Sequence, residues 1–157
     1  MEIERRWLVE GWPALTPSSV LQMDQGYFAV RPAIRIRREA VLGGETRYIL
    51  CFKGGAGLAR EEDVDEGRYL RLRAMLSGPM IEKEQRRYPL PGGLTLEVNQ
   101  VDPALESGFY YAEVEFDTEA AALAWTPPEA LTAYLSHEVT GQPGESMAAY
   151  WSRTRRT

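Results

Sequence analysis

The sequence predicts an α+β domain in which eight antiparallel strands are flanked by a few helices. Period-two alternation of polar and apolar residues recurs in eight separate segments. Gly43-Gly44, the run Gly54-Gly55-Ala56-Gly57 and Pro91-Gly92-Gly93 punctuate them as turns or loops. Most pairs are joined by connections short enough for antiparallel hairpins.

The strands fall at 2–10, 23–30, 33–40, 46–53, 59–65, 80–90, 94–101 and 109–117. Residues 66–77 carry Tyr69, Leu72, Met75 and Leu76 at helical spacing and stop at Gly78-Pro79. An Ala-rich helix spans 118–125, with Thr118 placed as its N-cap. Pro127-Pro128 breaks it and starts another over 128–135, where proline suits the first turn. Ser146 caps a last helix running through Trp151. Eight such strands fit a sandwich, an open sheet or a closed barrel.

The 157 residues make one domain, 1–157, long enough to bury a core without staples. Charged residues crowd the start, no apolar run nears the ~20 residues of a membrane helix, and the lone Cys51 can form no internal disulfide. A cytoplasmic protein without a membrane partner is expected. The net charge of −5 excludes a global field for nucleic acid. Short exposed helices are compatible with a homodimer.

Strand parity sorts charge by sign. One face of the first strand carries Glu2, Glu4 and Arg6; the seventh carries Glu97 and Asn99, and the eighth Tyr111, Glu113 and Glu115. The third strand sets Arg35 and Arg37 against Ile34 and Ile36. The fourth offers Lys53, the fifth Arg60, Glu62 and Val64, the sixth Lys83, Gln85 and Arg87. On any one strand this is what a wet face looks like. As a set it differs, because solvated surfaces intersperse both signs. If these faces turn inward, crowded like charges repel by several kcal/mol unless counter-charges intervene. Divalent cations would relieve the acidic set and a polyanion the basic set. Hard oxygen ligands suit Mg²⁺ or Mn²⁺, and Arg with Lys suits phosphate.

These residues resemble the signature of the CYTH superfamily, the triphosphate tunnel metalloenzymes, whose first strand bears Glu-x-Glu-x-Lys. Here "EIERR" supplies Glu2-x-Glu4-x-Arg6. Further blocks follow in order: "QGYF" (25–28), "RIR" (35–37), "FKG" (52–54), "REE" (60–62), "EKEQR" (82–86), "AEVEF" (112–116) and "HEVTG" (137–141). The chain is most similar to the small bacterial single-domain members.

The resemblance implies that the eight strands close into a barrel with a hydrophilic lumen. It implies metal-dependent hydrolysis of a triphosphate, most often inorganic tripolyphosphate. Carried over, Glu2, Glu4, Glu113 and Glu115 hold Mg²⁺ or Mn²⁺, and Glu4, Glu62 and Arg6 serve catalysis. Arg35, Arg37, Lys53, Arg60, Lys83 and Arg87 hold phosphates. Four positions depart from the pattern. Arg6 replaces lysine, Val64 and Asn99 stand where relatives carry acids, and Gln85 stands at an arginine's place. These departures frame an alternative, a non-catalytic polyphosphate-binding or sensing module. A structural adaptor using its outer face is a third reading. Cys51 reads as a small buried residue, His137 as a turn or barrel-mouth residue, and Glu138 as a hydrogen-bonding group.

Overall fold

The computed structural model describes residues 3–54 and 59–155. Its strands are β1 (Glu4–Val9), β2 (Ser19–Val30), β3 (Ala33–Val41), β4 (Thr46–Lys53), β5 (Ala59–Asp63), β6 (Ile81–Pro89), β7 (Thr95–Val101), β8 (Phe109–Glu115) and β9 (His137–Glu138). They form one nine-stranded sheet in the order β5-β4-β3-β2-β6-β7-β8-β1-β9.

The expectation of a closed eight-stranded barrel is therefore corrected. The sheet is tunnel-like but unclosed: β5 is one edge, the additional strand β9 is the other, and no pairing joins them among the described residues. The edges are short. β5 has five residues, and β9 meets β1 only through Trp7↔Glu138 and Leu8↔His137. Alternation within a strand says nothing about whether two distant edges meet.

Where one face of a strand is apolar, pairing follows the hydrophobic pattern. Trp7, Tyr88, Leu96, Val98, Ala112 and Val114 leave the outer face of β1, β6, β7 and β8 and pack with Ala122, Leu131 and Leu135. Ala122 belongs to α2 (Glu119–Ala124), whose Thr118 Oγ1 accepts from Ala121 N at 3.0 Å. The expected helix at 128–135 is a single 3₁₀ turn, Glu129–Leu131.

A second outer cluster joins Ile36 and Leu50 to Tyr69 of α1 (Glu66–Arg73). Asp65 caps α1 by accepting from Arg68 N at 2.7 Å, and Arg71 and Arg73 in its last turn suit its negative end. A third cluster packs Tyr27, Ile81, Val101 and Tyr111 against Met147, Tyr150 and Trp151 of α3 (Met147–Arg155). Ser146 Oγ caps α3 from Ala149 N at 3.1 Å.

Burial of apolar surface from α1 and α2 covers much of the outer face, whereas α3 packs against Tyr27 and Tyr111 of the cavity face and its Met147 lines the cavity. An ion pair fixes α3: Arg155 Nη1 lies 2.8 Å from Asp102 Oδ2, with both side chains 3% exposed. No helix among the described residues is long and apolar enough to cross a membrane.

Candidate active site

A cavity of about 920 Å³ lies against the polar face of the sheet. Pairing register places its side chains. Glu4 and Arg6 of β1 stand opposite Glu115 and Glu113 of β8, and Glu113 in turn stands opposite Glu97 of β7. These four carboxylates form an acidic wall. Arg35, Arg37, Lys53, Lys83 and Arg87 also line the cavity and supply its cationic part.

Within the acidic wall, Arg6 donates to Glu113 Oε2 from Nε at 3.1 Å and from Nη2 at 2.9 Å. Its Nη1 donates to the Glu145 carbonyl, and its guanidinium carbon lies 4.5 Å from the centroid of the Tyr111 ring. Burial pushes the Glu4 carboxyl up to about 8, and the neighbouring Glu113 pushes the same way. Burial opposes ionisation of Glu113, but Arg6, the hydrogen bond with Glu4 and Lys83 together outweigh it and hold Glu113 below the usual carboxylate range. The two carboxyls titrate as a coupled pair, in which Glu4 is pushed toward its protonated form and Glu113 toward its ionised form. Glu97 is raised, first by burial and then, against Arg87, by Glu115 and Glu113.

On the cationic side, Lys83 Nζ donates to the Tyr111 hydroxyl at 3.0 Å. Burial, with Arg37 and Arg35 beside it, pulls Lys83 well below the ordinary lysine range. The Nε atoms of Arg35 and Arg37 are buried and find no hydrogen-bond partner among the described residues. A buried donor without an acceptor is costly, and an incoming anion would remove that cost.

The expected site residues divide. Glu4, Arg6, Arg35, Arg37, Lys53, Lys83, Arg87, Glu113 and Glu115 line one cavity. Glu2 lies outside the described residues. Arg60 and Glu62 are corrected. β5 pairs Glu61 with Cys51 and Ala59 with Lys53, which puts Arg60 and Glu62 on the other face. The Arg60 side chain is 78% exposed and bonds Glu62 at 3.3 Å, away from the cavity. β5 reads Ala-Arg-Glu-Glu-Asp, polar on both faces, so no hydrophobic pattern announces which face turns inward.

Glu61 and Glu39 line the cavity in addition. Glu39 shares the parity of Arg35 and Arg37 and was legible on that ground. No signal in the sequence marks Glu61. Residues from the segment after β9, Thr140, Glu145, Ser146 and Met147 among them, also reach the cavity.

Two of the departures form a neutral pair: Gln85 Nε2 donates to Asn99 Oδ1 at 2.9 Å, and Arg87 Nε donates to Gln85 Oε1 at 2.9 Å. Glu138 accepts from Arg5 Nε and Nη2, each at 2.8 Å, on the outer side, in keeping with its expected hydrogen-bonding role.

The described residues contain no cluster of three or more metal-ligating side chains. The Glu4–Glu113 pair still fits a hard divalent ion. It is a buried set of carboxylate oxygens crowded by its own charge, and Mg²⁺ needs only one or two carboxylates when substrate phosphates complete its shell.

No protein-family model matches the sequence, and no curated protein matches it. Solved structures do. The crystal structure of the inorganic triphosphatase NE1496 superposes with TM-score 0.67 at 25% identity, covering 100% of this chain and 95% of that one. A second structure of NE1496 gives TM-score 0.66 at 25% identity, covering 100% and 99%. The PH1819 protein from Pyrococcus horikoshii OT3 shares the fold, with TM-score 0.59 at 16% identity over 77% of this chain and 81% of that one. The signature blocks in order along the sequence, the charged cavity at their meeting point and the end-to-end structural match make the chain similar to the CYTH superfamily.

Proposed function

We propose that the protein is a divalent-metal-dependent triphosphatase whose substrate is inorganic tripolyphosphate. The observation that carries this reading is the division of one cavity into a carboxylate wall and a cationic wall holding two buried arginine Nε donors without acceptors. The likeness to NE1496, an inorganic triphosphatase, supports it.

In this reading Arg35, Arg37 and Lys83 bind the phosphates, with Lys53 and Arg87 extending the row. Forked guanidinium donors and point-charge ammonium groups orient the chain of phosphoryl groups and spread positive charge where negative charge develops. Glu4 and Glu113, with Glu115, would hold Mg²⁺ or Mn²⁺, and the bound ion supplies Lewis acidity toward phosphoryl oxygen. Arg6 holds Glu113 in place. Water attacks the terminal phosphorus in line, the P–O–P bridge breaks, and orthophosphate and pyrophosphate form.

Orthophosphate release from tripolyphosphate, ATP and thiamine triphosphate, with Mg²⁺, Mn²⁺ or a chelator, tests the proposal. Metal-dependent release from tripolyphosphate is expected, lost in Glu4→Gln and Glu115→Gln while both variants stay folded. The alternative, a non-catalytic polyphosphate sensor, is favoured by one observation: Arg6 already occupies Glu113, and Gln85 and Asn99 satisfy each other without charge. A sensor would gain melting temperature from tripolyphosphate and release no phosphate.

A further inference from the structure

A carboxylate stands inside the cationic part of the cavity. Arg37 Nη2 lies 2.6 Å from Glu39 Oε1, and both residues line the cavity from the same face of β3. Glu39 is 8% exposed. Its cross-strand neighbours are Met23, which offers no hydrogen-bond donor from its side chain, and Arg47, which bonds Asp63 at 2.8 Å. Arg37 is therefore its close charged partner. The same guanidinium carries a buried Nε without an acceptor, so its hydrogen-bonding capacity is only partly used. Lys83 is crowded by Arg37 and Arg35, and Glu39 is the carboxylate that pairs with the Arg37 member of that crowd.

We propose that Glu39 is an internal counter-anion that competes with substrate and product phosphates for Arg37 and so lowers the affinity of the cavity for both. The inference rests on the reading that the cationic wall binds polyphosphate. A carboxylate tethered two residues from its arginine has no translational freedom to lose, so it holds Arg37 Nη2 in the empty protein. A phosphate that reaches the same guanidinium must displace Glu39 or share the fork with it, and like charge close to the bound phosphate weakens retention. Such a competitor favours release of pyrophosphate and orthophosphate after cleavage.

Calorimetric binding of tripolyphosphate and of pyrophosphate, in chelator, compares the wild type with Glu39→Gln, and thermal melts are recorded with and without each anion. The glutamine variant is expected to bind both anions about tenfold tighter. It should melt lower when empty, because Arg37 loses its counter-charge, and gain more melting temperature from the anion than the wild type does.

A merely structural or orienting role predicts a lower melting temperature with an unchanged or smaller anion gain, and unchanged or weaker binding; that result overturns the inference. If the glutamine variant does not fold, Glu39→Asp, which draws the carboxylate back by one methylene, should bind more tightly than the wild type, and wild-type affinity there overturns it. Absence of tripolyphosphate binding to the wild type both in chelator and with Mg²⁺ would sink the polyphosphate reading itself. Binding to the wild type without tightening in the variants sinks only the role of Glu39.

Discussion

Arg6 and Glu113 stand directly opposite each other on β1 and β8, and the guanidinium grips one carboxylate oxygen with two of its nitrogens, at 2.9 and 3.1 Å. A third nitrogen reaches the backbone carbonyl of Glu145, so one side chain ties the acidic wall to the segment that follows β9.

Arg6→Lys separates charge from shape. A lysine ammonium keeps the positive charge but lacks the planar fork that holds Glu113 and Glu145 together. The expected cost is about 1–2 kcal/mol of unfolding free energy, the worth of one or two charge-assisted hydrogen bonds. Arg6→Ala should cost more, about 3–5 kcal/mol, because Glu113 stays buried without its counter-charge. Urea unfolding of both variants measures the order. Equal stability of lysine and alanine variants would show that the fork, not the charge, carries the interaction.

The parity of β1, β3, β6 and β8 was legible because apolar partners such as Ile36, Trp7, Tyr88 and Val114 fix one face and leave the other to charge. The cavity's wall residues follow from that. β5 was not legible, since neither of its faces is apolar, and Arg60 and Glu62 stand on the face opposite the one that Glu61 turns to the cavity. Closure of the sheet was not legible either. It depends on whether β5 and β9 meet, a long-range relationship with no periodic trace in a two-residue strand such as His137–Glu138. The grip of Arg6 on Glu145 spans 139 positions and ends on a backbone carbonyl, which no side-chain pattern encodes.

Glu4 makes the empty protein sensitive to alkali. Its carboxyl is raised from 4.5 to about 8, by burial first and by Glu113 second. A carboxyl raised in the folded state keeps a proton that the unfolded chain has lost, so its contribution to stability is full below about pH 4.5 and fades as pH rises through about 8. Glu97 is raised as well, while lowered Lys83 acts with the opposite sign, so the clean measurement is a difference. The melting temperature of the wild type minus that of Glu4→Gln should fall steadily between pH 4.5 and 8. Divalent metal binding should release the Glu4 proton, so Mg²⁺ affinity should climb over the upper part of this range, with proton release visible as a buffer-dependent heat. A flat difference and no proton release would remove Glu4 from the proposed metal site.

Arg155→Met tests how firmly α3 is held at the end of the cavity. The wild-type guanidinium pairs with Asp102 at 2.8 Å, and its Nε and Nη2 donate to the carbonyls of Pro79 and Met80 at 3.0 and 3.1 Å. Asp102 also accepts from Glu82 N at 2.9 Å and from the Tyr150 hydroxyl at 2.7 Å, and it sits at φ 45°, a left-handed conformation that aspartate and asparagine tolerate better than most residues. Methionine fills much of the volume but leaves a buried carboxylate without its cation, at an expected cost of about 3–5 kcal/mol. Asp102→Asn preserves the backbone conformation and the acceptor for Glu82 N, so it should cost less, about 1–3 kcal/mol. Met147 and Ala148 at the start of the same helix line the cavity. Amide exchange in α3 should therefore rise in Arg155→Met before the sheet itself opens. An Arg155→Met variant as stable as the wild type, with α3 equally protected, would mean that the apolar contacts of Tyr150 and Trp151 hold the helix by themselves.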